Sequence, residues 1–450
     1  MTMKKPLLDP DFMPLFCVYE SLRAEAAHAQ ETVAVQIACV RDGNDCDTFR
    51  MEFAAPMSDR AIRFCERVVK FMVWASGGYE ILIAAPDAVA RHVAAAYSPE
   101  GTCAFDCEMM ALAYDRPLTI KAVEAGAMPQ PQARVQALGG HLNGCRLGFD
   151  LGASDFKISA VQDGETVFAD EIPWTPVTAT DPDYHFNLLQ EGLKKAAAHL
   201  PRVDAIGGSS AGIIVENQIK TASLIRGIQG ADRPKAQQLF KRVQEAWGVP
   251  VEVANDGDVT ALAGALSLKT TAILGIAMGS SEAAGYIDRG GRLTGRLNEL
   301  AFAPVDFNPD AAQDEWSKDN GVGAMYFSQQ AVNRLAIEAG FKFPDDMPLP
   351  ERLKTVQAAM ANDDLSASNI YVTIGVFLGY AIPWYRVFYD FDTVLVLGRV
   401  TSGKGGEIIV STAQEIMRTL NCDVALMMPD EKARRVGQCV AAASLPTISS

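Results

Sequence analysis

Histidine is scarce in this chain and unevenly placed. All five (His28, His92, His141, His185, His199) fall within the first 200 of 450 residues. Chemistry in the second half must therefore run on carboxylates, hydroxyls, amides or lysine. Cysteine occurs nine times but never in a metal-binding spacing. Cys103 and Cys107 are the closest pair, and no second pair or neighbouring histidine completes a zinc set. Scattered thiols in odd number argue for a reducing cytoplasm, where they serve as small buried hydrophobes. Positive charge is short as well. Lys plus Arg number 40 against 55 Asp plus Glu, a net charge of -15. That argues against a nucleic-acid partner, which would need clustered basic residues. The first 140 residues hold 13 basic and 18 acidic side chains, with no helix-turn-helix whose second helix is basic. The first ten residues lack the apolar run of a signal peptide, and no uncharged apolar stretch of about 18 residues stands out, so no membrane partner is expected.

What remains is an ordinary globular composition, 49% hydrophobic and 21% charged, at a length suited to about three compact units. Pro- and Gly-bearing segments at 127–134 and 138–141 predict a boundary near 140. Before it, alternating residues predict paired strands over 32–40 and 48–53. Ser58 should cap a helix that Gly77 and Gly78 stop at 75. A strand over 80–85 and a helix over 86–97 complete an α/β segment, 1–140, expected to be an extra N-terminal domain packing on its neighbour.

After the boundary the pattern changes. Strands over 147–150, 156–162 and 166–172 predict a meander, followed by a helix over 184–198 and a strand over 205–208 that runs into Ser209 and Ser210. A helix over 234–247 leads to a strand over 251–254, ending at Asn255 and Asp256. A second round opens at 271, with strands over 271–277 and 283–288 around Gly279, Ser280 and Ser281. Late in the chain, a strand over 393–397 leads into Gly398, Ser402 and Gly403. Two rounds that each open strand–polar turn–strand predict a duplicated α/β architecture around a central cleft.

The turns carry the chemistry. Asp150 ends a strand, and Gly152 and Ser154 follow at offsets of two and four. Such a turn can aim N–H groups and a hydroxyl at phosphate, with a carboxylate beside a hydrated cation; it can equally be an Asx turn. Gly279, Ser280 and Ser281 read as a second phosphate turn or as a plain hairpin. Asp256 stands where a strand meets a helix: it is either a general base or a helix cap. Gly398, Ser402 and Gly403 allow a nucleotide to approach backbone closely, or form a strand-to-helix loop. Glu282 is out of place beside phosphates unless it points away or meets a metal.

These pieces, in this order, resemble the ROK sugar kinases of the actin-like ATPase superfamily over about 145–445. Asp150, Gly152 and Ser154 are similar to the first phosphate motif. Asn255, Asp256 and Asp258 are similar to the catalytic Asn-Asp segment. Gly279 through Gly285, then Gly290, Gly291 and Glu299, follow the second phosphate motif, and 394–398 is similar to the adenosine motif. The resemblance implies two ribonuclease-H-like halves, 145–265 (with the C-terminal helix 429–443) and 266–428. It implies ATP and Mg²⁺ as cofactors and Asp256 as general base, with Asp150 at the metal. Asn255, Glu299, Ser209 and Ser210 then meet a sugar or polyol substrate, in a cytoplasmic homodimer. The family's zinc site is absent: Phe302 stands at its histidine, and no cysteine lies between Cys145 and Cys422. That departure keeps open a non-catalytic sugar-responsive relative.

Overall fold

The computed structural model describes residues 3–42, 45–132, 138–152, 155–428 and 431–448. It is a mixed α/β chain that divides into two compact units. One comprises Met1–Arg134, Ile276–Ala284 and Arg296–Met428; the other comprises Val135–Gly275, Gly285–Gly295 and Pro429–Ser450.

The second of these is built on a five-stranded sheet in the order Val251–Asn255, Ala205–Ser210, Cys145–Leu151, Asp155–Gln162, Glu165–Pro173. The expected meander forms its antiparallel side, and the strands at 205 and 251 join in parallel. Fully buried Leu147, Phe149, Phe156, Ile158 and Ile206 fill one face with Leu189, Leu193, Phe240 and Val243 from helices. Each such side chain contributes roughly 1.5–3 kcal/mol when withdrawn from water. The helix expected over 234–247 is two, Arg233–Gln237 and Leu239–Trp247, because Gln238 leaves helical geometry at ψ 14°.

The opposite face takes the C-terminal helix Glu431–Ala443, which lies against the strands at 145 and 205 and the helix Asp256–Leu268. Glycine makes this approach possible. Gly148 and Gly207 are lateral neighbours, and a Cβ on Gly207 would fall 1.7 Å from the carbonyl oxygen of Ala442. Fully buried Arg146 donates to the carbonyls of Ala443 (3.2 Å) and Pro446 (2.8 Å), a cation at the negative end of that helix. Gly207→Ala is expected to cost roughly 1–3 kcal/mol or more through overpacking. A thermal melt and hydrogen exchange of the 437–443 amides would check it; an unchanged melt would contradict the packing.

Two further four-stranded sheets are present among the described residues. One has the order Asp45–Ala54, Thr32–Asp42, Glu80–Ala84, Thr119–Ala122; the other, Glu282–Ile287, Ile273–Met278, Thr393–Leu397, Ala425–Met427. Ser58 caps the helix Asp59–Ala75 through the N–H of Ala61, as its sequence predicts. The expected boundary near 140 falls close to a division of the chain after Arg134. Residues 1–134 share one compact unit with 276–284 and 296–428, because aromatic side chains join them into one core. Phe71 stacks on Phe388 at 4.3 Å and meets Trp384 at 5.4 Å, and Phe64 lies 5.9 Å from the same indole.

Trp384 belongs to a correction. The helix Leu365–Tyr385 has no charged residue and is long and apolar enough to cross a membrane, so the expectation that no such run exists was wrong. Most of this helix is buried within its unit. Gly375 and Gly379, one turn apart, let the helix Lys404–Thr419 approach so closely that a Cβ on either would fall within 2.6 Å of Thr412 or Ile416. A close partner along one face is what a core helix requires.

Candidate functional site

Three parallel strands end side by side in the five-stranded unit. Asp150 is in register with Ser209 and Ser209 with Ala254; one step on, Leu151, Ser210 and Asn255 align. The strand at 145 is flanked by its hairpin partner on one side and a crossover strand on the other, so the order reverses there. Carboxyl ends of strands at such a reversal are where open α/β sheets bind ligands.

The helix Asp256–Leu268 starts at this edge. Its N-cap is Asn255, whose Oδ1 accepts from the N–H of Gly257 at 2.8 Å while its amide donates to the carbonyl of Gly212 at 2.9 Å. Asn255 thus holds the turn, and Asp256 is not the residue that caps the helix. Asp256 is partly buried, and its carboxyl is pushed up to about 6, first by burial and then by the negative charge of Asp150. The Gly257 N–H, 3.0 Å from Oδ1, pulls the other way. Asp258 accepts from the N–H of Tyr286, a residue of the same unit, at 3.3 Å.

Asp150 is nearly buried and pairs across its hairpin with Lys157, whose Nζ lies 3.4 Å from Oδ2. Sequence reading missed Lys157. The signal was countable, since an antiparallel hairpin centred on 153–154 opposes position 150 to 157. Gly152 does not offer its N–H to a ligand: it donates to the carbonyl of Asp155 at 3.0 Å, closing the hairpin. Trp174 donates to the Gly152 carbonyl at 2.8 Å. Ser154 lies outside the described residues.

Ser209 and Ser210 are fully buried, and the Ser210 hydroxyl donates back to the carbonyl of Ala211 at 3.4 Å. Both hydroxyls lie within the sheet rather than in a polar loop.

In the other unit, Ser280 and Ser281 are exposed at the tip of a hairpin closed by the Gly279 N–H on the carbonyl of Ser281, 3.0 Å. Glu282 turns the opposite way, into the core. It is 4% exposed, and neither carboxylate oxygen has a hydrogen-bond partner among the described residues. Burial, then the charge of Glu299, pushes its carboxyl up to about 8. Glu299 is half-buried, and its N–H donates to the carbonyl of Trp74 at 3.0 Å. Phe302, one turn later, packs on Trp74 at 4.5 Å. Gly398 takes φ 106°, and a Cβ there would fall 2.4 Å from the carbonyl oxygen of Met278. Ser402 and Gly403 are exposed at the N-terminus of the helix Lys404–Thr419, where backbone N–H groups favour anions. Lys404 pairs with Asp363 at 2.8 Å on the surface.

No family model and no curated protein matches this chain. Solved structures do. The ROK hexokinase of Thermus thermophilus superposes with a TM-score of 0.53 at 18% identity, over 66% of this chain and 97% of its own. A ROK family transcriptional regulator, a homologue of the E. coli MLC protein, gives 0.53 at 19% identity over 79% of this chain and 88% of its own. The ROK glucokinase of Streptomyces griseus, solved with glucose and AMPPNP, gives 0.50 at 18%, over 66% and 98%.

The chain has the ROK kinase-like fold. Within that fold Asp150, Asn255 and Asp256 are brought to one edge of one sheet. Glu299, Gly398 and the Gly279 hairpin belong to the other unit.

Proposed function

We propose that this protein is an ATP-dependent phosphotransferase of the ROK sugar kinase type, with Asp256 as general base. One observation carries the reading. Asp256 sits at a helix N-terminus that another residue already caps, and a second carboxylate is close enough to raise its proton affinity. A carboxylate held in this way has no structural duty that explains it, and its affinity for a proton is nearer that needed to accept one from a sugar hydroxyl.

Bound Mg²⁺–ATP would supply the γ-phosphoryl group and neutralise its charge. The residues fit that group: Asp150 and Asp256 repel each other, and a cation held by Asp150 relieves the repulsion. Asp256 accepts the hydroxyl proton as the sugar oxygen bonds to phosphorus, and the bond from phosphorus to the ADP oxygen breaks. Lys157 fixes Asp150 and adds positive charge beside it. The exposed Ser280, Ser281, Ser402 and Gly403 are the nucleotide contacts of this reading, and Glu299 binds sugar hydroxyls. The free thiols of all nine cysteines support a cytoplasmic site of action.

ADP release over a panel of sugars and polyols tests the reading. A substrate that stimulates release supports it. Binding of a sugar without turnover would instead favour a non-catalytic sugar-responsive protein, in keeping with Phe302 at the position of the family's zinc histidine. With the stimulating substrate, kcat/KM should rise with pH along an acid limb centred near 6, because the base must be unprotonated. A limb near the ordinary carboxylate value of about 4 would remove Asp256 from that role.

A further inference from the structure

Trp316 is the exposed aromatic residue whose surroundings are hardest to explain as packing. It is 58% exposed, yet it is displayed by a loop anchored on both sides. The buried carboxylate of Asp314 accepts from the N–H groups of Trp316 (3.0 Å) and Ser317 (2.7 Å) and from the Ser317 hydroxyl (2.9 Å). The N–H of Asp314 donates to the carbonyl of Asp319 at 2.9 Å. Asp319 is held in turn by Arg67 (3.1 Å) and Lys70 (2.8 Å), and Lys70 also binds fully buried Asp106 at 2.8 Å. A buried ion network thus fixes the base of a loop whose tip presents an indole to water. Burying charge is costly and positions groups better than it stabilises them.

Beneath the indole lies an aromatic layer. Phe302 meets Trp316 at 5.4 Å and 70°, Phe105 meets it at 5.5 Å and 68°, and Trp74 backs both at 4.5 and 5.9 Å. Phe302 closes the turn that Glu299 begins, its N–H donating to the Glu299 carbonyl at 3.2 Å. The backbone of half-buried Glu299 thus lies one turn from Phe302, a ring of the layer that carries the indole. That pairing suits a ring with an apolar C–H face and a rim of hydroxyls.

We propose that Trp316 is a specificity-determining residue that stacks on the C–H face of a cyclic sugar while Glu299 accepts from its hydroxyls. This rests on the sugar kinase reading above and narrows its substrate class to pyranoses rather than open-chain polyols. An alditol has the same hydroxyls but no preorganised flat face, so it would lose conformational freedom on stacking that a ring has already lost.

Calorimetry without nucleotide tests the idea, with glucose, mannose, galactose and N-acetylglucosamine as rings and sorbitol and mannitol as their open-chain counterparts. Wild type is expected to bind at least one ring. Trp316→Ala should weaken that binding about tenfold, whereas Trp316→Phe, which keeps a ring, should hold within about threefold. The Trp316→Phe melt should match wild type, and Trp316→Ala should melt only slightly lower, by the two ring contacts it loses. In turnover the loss should appear in KM with kcat kept. Unchanged affinity in Trp316→Ala, or an alditol bound as tightly as its ring, overturns the stacking role. If turnover with that sugar still falls in Asp256→Asn, the kinase reading survives that result. If wild type binds no sugar on the panel, with or without ATP and Mg²⁺, both readings fall.

Discussion

Asp256→Asn should lower substrate-stimulated ADP release by about 10²–10⁴-fold, the usual contribution of a positioned general base. The substitution keeps the size of the side chain and an oxygen for the Gly257 N–H. Asn255 still caps the helix, so the turn has no reason to move. Stability should hold or rise slightly, because the change removes a negative charge that faces Asp150 in a partly buried place. The combination is diagnostic: turnover lost, melting temperature kept, sugar affinity nearly unchanged. Asn255→Ala supplies the contrast, since a lost N-cap costs about 0.5–2 kcal/mol and the tie to Gly212 goes with it. Retention of more than a tenth of wild-type turnover in Asp256→Asn would remove the base assignment.

Glu282→Gln should make the protein more stable at neutral pH, by an amount that grows as pH rises. The folded carboxyl is raised from 4.5 to about 8. Between those values the folded chain holds a proton that the unfolded chain releases. Stability contributed by the neutral acid is therefore fully present below about 4.5, falls as pH rises, and is lost by about 8. The full span corresponds to an upper bound on the order of 5 kcal/mol. Glutamine is neutral throughout, so its curve lacks this slope. Urea unfolding of both proteins at pH 5, 6, 7 and 8 measures the difference; parallel curves would contradict it. The prediction also disposes of a difficulty in the sequence. A carboxylate next to a phosphate turn repels its ligand, but Glu282 lies in the core and holds its proton at neutral pH, whereas Ser280 and Ser281 face water.

Much of the local structure was legible. The antiparallel pairing of the strands at 145 and 155, the Ser58 cap and the strand at 393 follow from alternation and turn chemistry acting between residues close in sequence. Other elements misled for identifiable reasons. Ser209 and Ser210 look like a polar loop, yet they continue a central strand, and parallel neighbours on both sides bury them. Asn255 looks only like a ligand for substrate, yet it also holds the turn through one local N–H and one remote carbonyl, with a second N–H and a second lone pair to spare. The run 365–385 does not look like a continuous apolar stretch because serines, an asparagine and a threonine interrupt it, although it holds no charge.

The sequence by itself determined the order of the turns, the Asp-bearing strand ends and the scarcity of groups other than carboxylates to do acid–base work. Only the tertiary structure decided which carboxylates are altered. Proton affinity depends on nearby charge and on exclusion of water, and both come from residues far apart in the chain. Asp150 raises Asp256 because two parallel strands flank a third, and Glu282 is raised because a core closes over it next to Glu299. For the same reason aromatic side chains of 1–134 find their partners beyond residue 380, a pairing that no local pattern encodes.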